Sequence, residues 1–177
     1  MSGSPTRSYL SKETTDPPVV DRVARGRGID AVVVVLSRTE PTEWLRSWSG
    51  SPEPMVVDLT GGSGSSLRLP GGDGSVVAGL SPTDLTGVSM VLDSLVARHG
   101  RTVLYVESLT GLSHCAGSTR TARFLRRTVE RVTGAGGTVV ADVEPSAHPT
   151  SDLRLLSGPF DRLVGSGTSH HSGPPQP

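Results

Sequence analysis

The chain has 177 residues, enough for one domain with a packed core plus tails, and its 22 glycines and 14 prolines signal many turns. Basic and acidic residues each number 17, and a net charge of zero removes the global electrostatic case for a nucleic-acid or membrane-surface protein. The single cysteine, Cys115, excludes an intramolecular disulfide or Cys-rich zinc site, and the longest apolar run, 31–36, falls far short of the roughly 18 residues of a membrane span.

Residues 1–28 lack periodicity, contain Pro5, Pro17 and Pro18, and read as a flexible arm with a short helix near 19–24. No secretory h-region stands at the N-terminus, so the expectation is a cytoplasmic protein. Residues 29–36 (IDAVVVVL) are β-branched on both faces, as in a strand buried within a parallel sheet. Residues 41–48 fit a short helix opened by Pro41, with Trp44 and Trp48 on one face as core or interface anchors. Strands follow at 55–59 and 76–80, separated by a Gly-rich loop, 61–74, with room for a small hairpin around 67–69.

Residues 81–98 predict a helix capped by Ser81, with Pro82 at its first position and Asp84 in its first turn. Its apolar stripe is Leu85, Val88, Leu92, Leu95 and Val96. Residues 102–106 (TVLYV) form the next strand, and Ser118 or Thr119 opens a helix that ends at Gly134. A strand at 137–143, a short helix at 151–156 and a strand at 160–164 complete the pattern, before a low-complexity tail, 165–177. Such alternation predicts an α/β domain over 29–164, with a mainly parallel sheet and helices on both faces.

Chemistry in such a sheet is sought at the carboxyl ends of the strands, where Glu107 and Ser108 directly follow TVLYV. An acid there can hold a water or magnesium ion against a phosphate, or simply cap a helix or face solvent on a loop. The lysine loop GxxxxGK[ST] is absent: Lys12 is the only lysine, and Ser11 precedes it. Nucleotide hydrolysis by this chain alone is therefore not expected, and neither a cofactor nor a metal is assigned. His170 and His171 in the tail make no metal site.

The run His114-Cys115-Ala116-Gly117-Ser118-Thr119-Arg120-Thr121 resembles a cysteine-phosphatase loop, with Cys115 as nucleophile and Arg120 as anion clamp. It is one residue short between Cys and Arg, and the bland reading is a half-buried cysteine at a helix entrance. Arg120, Arg123, Arg126, Arg127 and Arg131 share one helix with a single acid, Glu130. That helix offers either a solvated outer face or a site for nucleic acid or an acidic partner; no aromatic residues interleave, which argues against a single-strand platform.

A wider likeness rests on residues 101–112 (RTVLYVESLTGL), in place of a Walker-B strand ending in Asp-Ser-Leu. With it go the helix-and-strand stretch 119–148, PFDRLV at 159–164, the upstream VVVVLSRTEPTEWLRSW, and SPTDLTGVSMVLDSL. Together, 29–164 resembles the KaiC-like branch of the RecA family, of the haloarchaeal kind in which the nucleotide motifs are eroded. The resemblance implies a three-layer RecA-like fold truncated at its P-loop end. It places Glu107 and Ser108 at a degenerate Walker-B position, with the loop 61–66 nearby. It implies a regulatory or scaffolding protein that contacts an unknown protein partner or its own copies, with no membrane. The rival expectations are the Cys115 phosphatase and an arginine-helix nucleic-acid module.

Overall fold

The structure, a computed structural model, describes residues 8–11, 20, 23–25, 28–61 and 76–164. Among the described residues seven strands form one sheet: β1 (Ser8–Ser11), β2 (Ala31–Leu36), β3 (Pro54–Asp58), β4 (Val76–Gly79), β5 (Thr102–Val106), β6 (Thr138–Asp142) and β7 (Arg162–Val164). Their order is β4-β3-β2-β5-β6-β1-β7, and every neighbouring pair is parallel. The helices are α1 (Pro41–Ser47), α2 (Leu85–His99), α3 (Leu109–Ala116), α4 (Ser118–Gly134) and α5 (Thr150–Ser157).

Both faces of the sheet are covered, because its central strands are apolar at every position. All six residues of β2 are buried, and alternate side chains enter opposite cores. Val33 and Val35 join Leu104, Val106 and Val139 under α2, α3, α4 and α5. Val32, Val34 and Leu36 join Val103, Tyr105 and Val140 under Trp44 of α1 and the buried Val20 and Ala24. The fold is thus α/β in three layers, a RecA-like arrangement. Each fully buried Val or Leu contributes about 1.5–3 kcal/mol before conformational entropy is counted.

The arm predicted over 1–28 contains part of the sheet. Ser8–Ser11 inserts between β6 and β7, with Tyr9 opposite Val140 on one side and Arg162 on the other. Its polar residues are affordable there because Ser8 N and Oγ both donate to Asp161 Oδ2, while Asp161 N donates back to Ser8 Oγ. The loop 62–75, including the proposed hairpin, the segment 12–19 and the tail 165–177 lie outside the described residues.

The helix expected over 81–98 starts later, because 81–84 makes a turn closed by Asp84 N on Ser81 O at 2.9 Å. Asp84 is then the cap, accepting from Gly87 N at 2.9 Å. A helix not predicted, α3, occupies 109–116, capped by Ser108 Oγ on Gly111 N at 3.0 Å. Gly117, at φ 85°, lets the chain leave α3 and enter α4 without an intervening loop. Gly137 sets how closely the end of α4 approaches β5, since a Cβ there would collide with Thr102 O.

Candidate functional site

Parallel pairing brings the ends of β1, β2, β5 and β6 together on one edge, and the polar residues of the central sheet collect there. Glu107 follows β5, with its N–H bonded to Val35 O at 3.0 Å, so the ladder runs one residue past the strand. That register aims its carboxylate into the turn between β2 and α1. The group is 3% exposed and accepts from Ser37 N at 3.0 Å, Arg38 N at 2.8 Å and Thr39 N at 3.1 Å.

Three successive amides converging on one carboxylate make an anion nest, and its occupant is a residue of the same chain. The carboxylate that could have held a water or magnesium ion against a phosphate is engaged in holding a loop. Ser108 is likewise engaged as the cap of α3, while its carbonyl lies 3.5 Å from Ser37 Oγ. Of the loop 61–66, only Gly61 is among the described residues.

A second acid was missed from sequence. Asp142 ends β6, is 6% exposed, and accepts from the Tyr105 hydroxyl at 2.6 Å and from Ser11 of β1. Burial pushes the Asp142 carboxyl up to about 6, against the opposing pull of the Tyr105 and Ser11 hydrogen bonds and the Arg38 charge. Burial, reinforced by the Asp142 charge, holds the Tyr105 hydroxyl far above its ordinary value. Glu107 raises both groups electrostatically and Arg38 lowers both, so these four side chains form one electrostatic unit. Tyr105 also stacks on Trp44, centroids 6.2 Å apart, and Trp44 on Trp48 at 5.5 Å. Of the two residues expected to be core or interface anchors, Trp44 is buried in the core and Trp48 packs against it partly buried.

A further polar cluster sits where α3 meets the segment after β6. Thr110 Oγ1 accepts from Glu144 N at 3.0 Å and shares a 2.9 Å hydrogen bond with His148 Nε2. The His148 and His114 rings lie 6.1 Å apart. Burial, then the His114 charge, lowers the His148 pKa, whereas hydrogen bonds from Ser146 lower that of Glu144. Ser118 Oγ donates to Asp152 Oδ2 at 2.6 Å, so the 2.7 Å contact with Ser113 Oγ is a bond donated by Ser113. This chain pins α3, α4 and α5 to one another. No group of three metal-ligating residues occurs among the described residues.

The phosphatase-like run does not form a cradle. Cys115 is exposed in the last turn of α3, where the amides serve the helix, as Gly117 N does on Ser113 O at 2.8 Å. Arg120 lies in α4 with its guanidinium 3.5 Å from Thr83 O. A continuous helix end and a new helix start replace the loop that would point successive amides at one anion, and Cys115 is neither half-buried nor at a helix entrance. The five arginines of α4 are all exposed, with Arg131 paired to Asp93 at 3.6 Å.

The fold and this edge define a three-layer α/β protein whose own carboxylates fill the polar positions at the carboxyl ends of its central strands. Residues 13–165 match the model of DUF7504, a family of unknown function, and the chain belongs to that family. No curated protein matches the chain. Among the described residues no helix is long and apolar enough to cross a membrane.

Proposed function

We propose that the protein is a non-catalytic, RecA/KaiC-like regulatory or scaffolding protein of the cytoplasm that acts through protein–protein contacts. The observation that carries this reading is the commitment of Glu107. Both its oxygens accept backbone N–H bonds from residues 37–39, at the strand end where a nucleotide site would need an acid free for water or magnesium. Asp142, the neighbouring acid, is held by Tyr105 and Ser11. The sequence supports the same reading, since its one lysine, Lys12, follows Ser11 rather than the glycine of a phosphate-binding loop. The all-parallel sheet covered on both faces is compatible with a RecA-like core.

The test is titration of the full chain with Mg·ATP and Mg·ADP, followed by thermal melting and phosphate release. A site filled to about 100 times its Kd would add roughly 2.7 kcal/mol of stability. The reading predicts no shift at millimolar nucleotide and no phosphate release. A saturable shift with turnover, abolished in Glu107→Gln, would overturn it.

A further inference from the structure

The exposed face shared by α2 and α4 carries a cluster of arginines. At 100° per residue, Arg120, Arg127 and Arg131 fall within about 40° of one another on α4, and Arg123 lies about 60° from Arg120. Arg120 reaches Thr83 in the turn before α2 and Arg131 reaches Asp93 within α2, so the two helices run side by side in the same direction. Between them is a groove of about 560 Å³ lined by Ser89, Asp93, Arg127, Thr128, Glu130 and Arg131. Asp93 pairs with Arg131, whereas Arg123, Arg126 and Arg127 have no ion-pair partner among the described residues. Met90, one residue on from Ser89 along α2 and about 100° round the helix from it, is 69% exposed.

The geometry points to a docking surface, on the α2–α4 face, for an acidic protein segment that carries one apolar side chain. The inference rests on the contact-making reading above and names the chemistry of the partner. Charge complementarity decides the occupant. The guanidiniums of Arg123 and Arg127, without an ion-pair partner among the described residues, and that of Arg120, which donates to Thr83 O, span about 10 Å of helix, bounded at the far end by Asp93 and Glu130. That length suits two or three carboxylates of a peptide. It is too short for the run of phosphate contacts that gives nucleic-acid binding its strength, and a phosphate backbone has no use for Met90. A row of charge on one helix with an exposed apolar side chain on the neighbouring helix is an arrangement that can discriminate one protein segment from another.

The test uses the full chain and two labelled glutamate-rich peptides of equal charge, one with a central leucine and one without, read by fluorescence anisotropy. The leucine peptide is expected to bind more tightly than its leucine-free partner, and added salt to weaken both. Arg123→Ala with Arg127→Ala should weaken it about tenfold or more, and Met90→Ser should erase the advantage of the leucine. Arg162→Ala, on the exposed part of β7, should leave binding unchanged. All the substituted side chains are exposed, and an unchanged melting temperature verifies folding. Absence of binding at low salt, or equal binding by the variants, overturns the inference. So does displacement of the peptide by duplex DNA with a steeper salt dependence, which would assign the arginines to phosphate. Failure of this kind leaves the non-catalytic reading standing, whereas nucleotide turnover removes that reading whatever the peptides do.

Discussion

The Tyr105 hydroxyl donates to Asp142 Oδ2 at 2.6 Å between adjacent parallel strands, and both residues are buried. A carboxyl pushed up to about 6 in the fold, against about 3.9 in an unfolded chain, binds its proton more tightly when folded. Its contribution to stability is therefore full below about pH 4 and is lost as pH rises through about 6. Asp142→Asn removes this dependence. Relative to wild type, the variant should gain on the order of 2–3 kcal/mol more at about pH 8 than at about pH 4, measured by urea unfolding. A difference between the two proteins that is constant with pH would contradict the assignment.

Tyr105→Phe deletes the donor and leaves the ring stack on Trp44 intact. With Asp142 ionised, the loss of a charge-assisted bond should cost about 1.5–3 kcal/mol; with it protonated, nearer 1 kcal/mol. Equilibrium unfolding above and below pH 6 reads both values. Equal losses would mean that the hydroxyl does not serve the ionised acid.

Glu107→Ala orphans the amides of Ser37, Arg38 and Thr39, and should cost about 3 kcal/mol or more. The cavity left is an empty anion nest, so formate should restore part of the loss in the variant and leave wild type unaffected. Chloride at equal ionic strength provides the control. A variant as stable as wild type would show that the carboxylate does not hold the loop.

Gly137→Ala drives a Cβ into Thr102 O and to 2.8 Å from Val132 Cγ1, and backbone must move to admit it. Overpacking of this kind costs about 1–3 kcal/mol. The midpoint of urea unfolding should fall with its slope unchanged. Tolerance of alanine would mean that α4 can slide off β5.

What the sequence discloses is set by how local each determinant is. Ala31–Leu36 and Thr102–Val106 declare themselves as buried strands because every position is apolar or β-branched, and the α2 stripe is legible at helical spacing. Ser8–Ser11 is illegible because its strand partners, Thr138–Asp142 and Arg162–Val164, lie far along the chain and its serines are satisfied by Asp161. Helix α3 hides behind Gly111 and its short length, and only Ser108 as a cap could have announced it. Glu107 stands at the strand end where it was expected, but its amide partners are roughly seventy residues away, and no local pattern encodes them. Asp142 did leave a signal: an acid within TVVAD, a strand whose other residues are apolar or β-branched, must find a buried donor.

The central claim is that Glu107 is a fixed internal ligand of residues 37–39, and amide hydrogen exchange at Ser37, Arg38 and Thr39 tests it most directly. The account predicts slow exchange in wild type, unchanged by Mg·ATP, and fast exchange in Glu107→Ala. Fast exchange in wild type, or rates that change when Mg·ATP is added, would show that the carboxylate is free to serve a ligand, and would contradict the account.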